Sequence, residues 1–285
     1  MVLTLAGLVA GAGLTVVVAA PATAVPGLNN VIAVSAANSN VFKSVVATCP
    51  AGQRVIGGGA RLSVPSSSEV SITHLSPTAA ATGYEAQAYE DADGFAGNWA
   101  VQVIAICANT PPGHVVVTAS SPMASPATAT VTATCPAGLQ VLGTGGSVGP
   151  GRGTVVLSGV VPSPVAGPTS VTVTGAEVQG GFAGTWNVTA WAVCAAPTPG
   201  AITVVTTSAA SSASPKTQFA NCPPTRPVHG IGFQFGGAGV GEIFLNIAIP
   251  NPLLPVGTNV PVVASEDQSG VAGNWSVSTY AICTI

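Results

Sequence analysis

Along most of the chain, apolar and polar residues alternate in short runs that Pro and Gly interrupt. In the clearest run Trp99, Val101, Val103, Ala105 and Cys107 share one face. The other face starts with Ala100 and Gln102 and ends with Ile104 and Ile106. A period of two is the signature of a strand. This one is covered on one side throughout and on both sides near its cysteine. The run returns at Trp186 to Cys194, where Asn187 and Thr189 precede Trp191 and Val193, and at Trp275 to Cys283, where Ser276 and Ser278 precede Tyr280 and Ile282. Tryptophan and cysteine stand eight residues apart in all three copies, so one structural unit is written three times. After the leader no useful window holds the helical period. Val and Thr abound between turn residues, which predicts an all-β chain of about six strands per copy.

Each copy opens with Pro-Gly, at Pro26-Gly27, Pro112-Gly113 and Pro199-Gly200, followed by a β-branched run. The glycines lie 86 and 87 residues apart, as do Cys49, Cys135 and Cys222, which start the Cys-Pro pairs. A Val-x-Gly-x-Gly strand follows, with Gly57 and Gly59, Gly143 and Gly145, and Gly230 and Gly232. Alternating glycines mark a place where another backbone or a ring packs close, and the repeated tryptophan is the expected filler. The boundaries are a leader at 1–24 and repeats at 25–110, 111–197 and 198–285. The expected fold is three tandem, disulfide-pinned antiparallel β units, each a sandwich or Greek key. They either stand as beads or pack with pseudo-threefold, prism-like symmetry, and the short connectors favour close packing.

Composition narrows the function classes. Apolar residues are 47% of the chain and charged residues 5%, against about 25% charged in ordinary domains. The chain therefore folds, and Ser, Thr, Asn, Gln, Gly and Ala cover its surface. A net charge of −3 with six Lys and Arg argues against a phosphate-binding surface and so against nucleic acid. Residues 1–20 are almost wholly apolar and Ala22-Thr23-Ala24 offers a cleavage site. That predicts a secretory signal peptide cut after Ala24, although no basic residue precedes the apolar run. Retention as a membrane anchor is the alternative; after cleavage no membrane association is expected. Six cysteines in an exported chain predict three disulfides. The repeat selects Cys49–Cys107, Cys135–Cys194 and Cys222–Cys283. A zinc site is disfavoured, because there is no Cys-x-x-Cys and His74, His114 and His229 are not equivalent.

Glu90, Glu177 and Glu266 each stand nine residues before a tryptophan. As functional residues they are ligand contacts. In repeat one Glu90, Asp91 and Asp93 precede Gly94 and offer oxygens for calcium. As structural residues they accept backbone N–H bonds and fix the hairpin before the tryptophan strand. Asp91 becomes Val178, and Asp93 becomes Gly180 and Ser269, which favours the structural role. No cofactor is expected beyond that calcium alternative. The three repeated tryptophans read as core. Trp191 and Tyr280, on the opposite face, are the better candidates for exposed, ligand-binding aromatics. Gly145-Gly146-Ser147-Val148-Gly149 matches a nucleophile-elbow string, which needs a strand–turn–helix context and a partner histidine. The string lies in a Gly-rich β segment with no helix predicted after it, and the repeat already accounts for two of its glycines.

The pattern Cys-Pro-Ala-Gly-x-x-Val-x-Gly-x-Gly, followed by Trp and a terminal Ala-Ile-Cys or Ala-Val-Cys, resembles repeats of secreted actinobacterial proteins of uncharacterised function. Copy three departs from it at Pro224-Thr225. A fainter likeness, to vitelline membrane outer layer proteins, implies a three-fold β-prism, although repeats there are shorter. Three functions follow as expectations. The first is a secreted, non-catalytic structural or adhesion protein of the cell surface or matrix. The second is a carbohydrate-binding module for cell-wall or extracellular glycan, calcium-assisted or not. The third, a secreted serine hydrolase, rests on Ser147 alone.

Overall fold

A computed structural model describes residues 25–64, 67–151, 153–251 and 258–284. The leader expected at 1–24 lies outside them. Repeat one supplies β1 (Asn29–Val34), β2 (Phe42–Thr48), β3 (Gln53–Leu62), β4 (Val70–Pro77), β5 (Gly83–Glu90) and β6 (Val101–Asn109). Repeat two supplies β7 (Val115–Ser120), β8 (Thr128–Thr134), β9 (Gln140–Gly149), β10 (Val155–Ser163), β11 (Ser170–Glu177) and β12 (Asn187–Ala195). Repeat three supplies β13 (Ile202–Thr207), β14 (Lys216–Asn221), β15 (Val228–Gly237), β16 (Ile243–Ala248), β17 (Asn259–Glu266) and β18 (Trp275–Cys283). Among the described residues the one helical element is a 3₁₀ turn at Val240–Glu242.

The strands form three antiparallel six-stranded sheets, and every sheet draws on two repeats. Sheet I runs β2-β5-β4-β9-β12-β7, sheet II runs β8-β11-β10-β15-β18-β13, and sheet III runs β14-β17-β16-β3-β6-β1. Each repeat therefore places three strands in one sheet and three in the next, and the third repeat closes the ring onto the first. The units are not beads: they share sheets around a pseudo-threefold axis, as the faces of a prism. The seams are short. His74 and Leu75 pair with Ser147 and Gly146, Gly159 and Val160 with Gln234 and Phe233, and Ile247 and Ala248 with Arg61 and Ala60.

The alternating glycines explain the closure. A methyl group on Gly57 would strike the carbonyl oxygen of His229, one on Gly143 that of Ile56, and one on Gly230 that of Leu142. Each repeat thus abuts the preceding one in a closed cycle, backbone against backbone. The second glycines do the same at the seams, where Gly59, Gly145 and Gly232 face the carbonyls of Ala248, Leu75 and Val160. The expectation that tryptophan fills this space is corrected: neighbouring main chain does. Side-chain bonds lock the cycle further. Tyr84 donates to the Thr144 carbonyl at 2.8 Å, and Thr144 donates to that of Ile231. Asn246 donates to the carbonyls of Ser67 and Val70, both at 3.1 Å.

Within a repeat the two half-sheets enclose the tryptophan. Trp99, Trp186 and Trp275 have no exposed surface. Their backbones bridge to Asn38, Ala124 and Ser211 in the connectors after the first strand of each repeat. The disulfides Cys49–Cys107, Cys135–Cys194 and Cys222–Cys283 close loops of 58, 59 and 61 residues. Each joins a residue that follows one sheet's edge strand to the strand next to the edge of the adjacent sheet, so every corner of the prism is cross-linked.

Candidate functional site

The repeated glutamates hold the indoles. The Trp99 N–H donates to Glu90 Oε1 at 2.6 Å, that of Trp186 to Glu177 at 2.8 Å, and that of Trp275 to Glu266 at 2.5 Å. The second carboxylate oxygen accepts the Phe95 N–H at 3.1 Å in repeat one and the Val271 N–H at 3.2 Å in repeat three. Each glutamate serves its own hairpin. Lysine completes two of these cradles. Lys43 Nζ lies 4.4 Å from the Trp99 ring centre and donates to Asn38 Oδ1 at 2.5 Å. Lys216 Nζ lies 4.6 Å from that of Trp275 and donates to Ser211 Oγ at 2.5 Å. Burial pulls the Lys43 amine below its ordinary pKa, while Glu90 opposes the shift. Repeat two has Ala129 here, and its Trp186 N–H also reaches the Pro126 carbonyl at 3.2 Å. Sequence reading passed over the lysines, yet a signal existed. The chain has two, and both stand six residues before a first cysteine.

At one end of the prism, loops from all three repeats meet. Gln268 donates to Asp93, the Gln179 N–H donates to Glu242, and Gly153 packs against the Glu90 carbonyl. Burial pushes the Asp91 carboxyl up to about 6. The N–H groups of Gly94 and Asp93 oppose that shift, and Glu69 and Asp267 add to it. Burial also raises Glu242, against the Gln179 N–H, and neighbouring Asp267 raises it further. The acids expected to cage calcium do not converge. Glu90 faces the indole, Asp91 Oδ1 accepts the N–H groups of Asp93 and Gly94 at 3.1 and 3.0 Å, and Asp93 binds Gln268. Among the described residues no three Asp, Glu, His or Cys side chains are grouped to hold a metal.

The outer face of sheet I is different in kind. The register places Ser44, Gln87, His74, Ser147, Thr189 and Ser120 in one row, one residue from each of the six strands. All six are at least partly exposed. The equivalent row on sheet II reads Thr130, Thr174, Gly159, Gln234, Ser278 and Thr207. On sheet III it reads Thr217, Val263, Ile247, Arg61, Gln102 and Val34. Beside the sheet I row stands Trp191, partly exposed, its ring centre 5.4 Å from that of His74. His74 Nε2 lies 2.7 Å from Ser76 Oγ.

The two aromatics paired in the sequence therefore part company. Tyr280 is buried at 8% exposure, with its hydroxyl 3.4 Å from Gln234 Oε1. The Trp191 position keeps open surface, because Ser147 replaces Gln234 beside it. Ser147 itself lies inside β9, laddered to β12. The turn that an elbow needs is not there, because repeat one's β4 continues the sheet past it.

Among the described residues no helix is long and apolar enough to cross a membrane. No known family's sequence profile matches the chain, and no curated protein is detectably similar to it in sequence.

Proposed function

We propose that this chain is an exported, non-catalytic structural or adhesion protein that presents rigid sheet faces at a cell surface or in a matrix. One observation carries the reading. The only acid repeated in every unit is turned inward to hold an indole, so repetition has conserved a cross-linked frame. Three disulfides at the prism corners suit an oxidising compartment. A surface of hydroxyls and amides with few charges suits close contact with neutral material.

Fractionation of the producing cell tests the reading. A chain that starts at Val25, in the wall or medium fraction, with all six cysteines oxidised, supports it. A cytosolic chain with free thiols overturns it. Labelling of Ser147 by a serine-reactive phosphonate would overturn its non-catalytic part.

A further inference from the structure

We propose that the outer face of sheet I is a binding surface for an uncharged polysaccharide chain, laid across the strands along the row from Ser44 to Ser120, with Trp191 as its stacking platform. The proposal deepens the adhesion reading and rests on it.

The first argument is the row. Six hydrogen-bonding side chains stand at successive strands. Strands are about 4.8 Å apart, so the row is about 24 Å long. That is the length of several sugar units, met by a periodic line of hydroxyl, amide and imidazole groups. A sugar polymer presents a matching periodic line of hydroxyls.

The second argument is the contrast among equivalent faces. The frame closes equally well with Gly159 or Ile247 where sheet I has His74, and with Tyr280 or Ile104 where it has Trp191. Folding therefore does not demand an imidazole in the row or an open indole beside it. The row on sheet II is also mostly polar, but its aromatic, Tyr280, is covered, and only sheet I leaves its aromatic partly exposed. The row on sheet III is instead half apolar, with Val263, Ile247 and Val34 beside Thr217, Arg61 and Gln102.

The third argument is unused bonding capacity. Ser120 and Thr189 bond to each other at 2.9 Å, and Gln87 and Ser44 both donate to Glu85. At the centre, however, neither Ser147 Oγ nor the Trp191 N–H has a hydrogen-bond partner among the described residues. An indole offers a flat apolar surface with one donor at its rim. The C–H face of a pyranose ring with its rim hydroxyls is the complement. Charge complementarity selects a neutral polymer: the row carries no fixed charge, and Glu85 beside it would repel an anionic one.

Affinity electrophoresis of the intact chain through hydroxyethyl cellulose, glycol chitin or alginate tests this, together with acrylamide quenching of fluorescence. Three of the four tryptophans are fully buried, so quenching reports Trp191. At least one neutral polymer is expected to retard the chain and protect Trp191, while alginate does neither. Trp191→Ala should weaken retardation by about tenfold or more. Ser147→Arg guards against misfolding as the cause, because sheet III already carries Arg61 at that position. It should abolish retardation, whereas Gln234→Arg, its equivalent on sheet II, should not. The proposal fails if neither neutral polymer retards the chain, if alginate retards it more, or if Ser147→Arg binds as the wild type does. A chain that is exported and oxidised yet not retarded sinks this proposal alone; a reduced cytosolic chain sinks the adhesion reading itself.

Discussion

Removing the Glu90 carboxylate should cost more than removing the Glu177 carboxylate, although the two occupy one repeat position. In repeat one, Glu90→Ala strips the partner from a fully buried indole N–H and from the Phe95 N–H. It also removes the nearby carboxylate that favours the charged form of the Lys43 amine through space. An orphaned buried donor costs about 1–3 kcal/mol, and the lost through-space attraction on Lys43 about 1 kcal/mol. Lys43 keeps Asn38, the Asn40 carbonyl and the indole face, so the total is about 3 kcal/mol. In repeat two the charge is absent because Ala129 replaces lysine, and the Trp186 N–H keeps the Pro126 carbonyl. Glu177→Ala should then cost about 1–2 kcal/mol. At about 2–4 °C per kcal/mol for a chain of this size, the two melting temperatures should differ by about 3–6 °C. Calorimetry of both variants, with the Lys43→Ala/Glu90→Ala double mutant to measure coupling, decides the matter. Equal losses in the two repeats, or no coupling between Lys43 and Glu90, would refute the reasoning.

Gly143→Ala should prevent closure of the prism or lower its melting temperature steeply, because its methyl strikes the Ile56 carbonyl. Gly138→Ala, with open space but φ of 83°, should lose only about 1–2 kcal/mol. Removing the Cys135–Cys194 bridge by double serine substitution should cost about 4 kcal/mol in chemical denaturation, the loop-closure value for some 60 residues. His229, which is buried, and Asp91, which is half-buried, shape acid stability in opposite senses. His229, held down to about 4 by burial, contributes stability that is present above pH 6.5 and lost as pH falls toward 4. With no exposed surface on the ring, that loss is about 3 kcal/mol. Asp91, pushed up to about 6, contributes stability that is present at low pH and lost as pH rises from 3.8 to about 6. A pH series of melting temperatures should therefore steepen on Asp91→Asn and flatten on His229→Gln.

The tryptophan-to-cysteine run, the Cys-Pro start and the glycine intervals were enough to read strands, repeats and disulfide pairing from the chain alone. A period of two and a fixed spacing are local facts, and local facts survive in one dimension. The partition of each repeat between two sheets was not legible, since beads and a closed prism need the same alternation. Backbone contacts such as Gly57 on His229 decide between them, and those form only when one copy meets another. The role of Glu90 was half legible: its hairpin bond to Phe95 lies close in sequence, but its bond to a buried indole depends on how β5 and β6 face each other. Lys43 illustrates the same limit, being placed over Trp99 by two strands that lie in different sheets.

By itself, then, the sequence determined an all-β unit with its own cystine and its own buried indole, repeated three times. Only the tertiary structure decided that the copies share sheets, that Tyr280 is covered while Trp191 is partly open, and that the three equivalent outer rows differ in polarity. The reason is physical. Alternation dictates which side of a strand points inward, but what an outward side chain meets depends on strands contributed by another repeat.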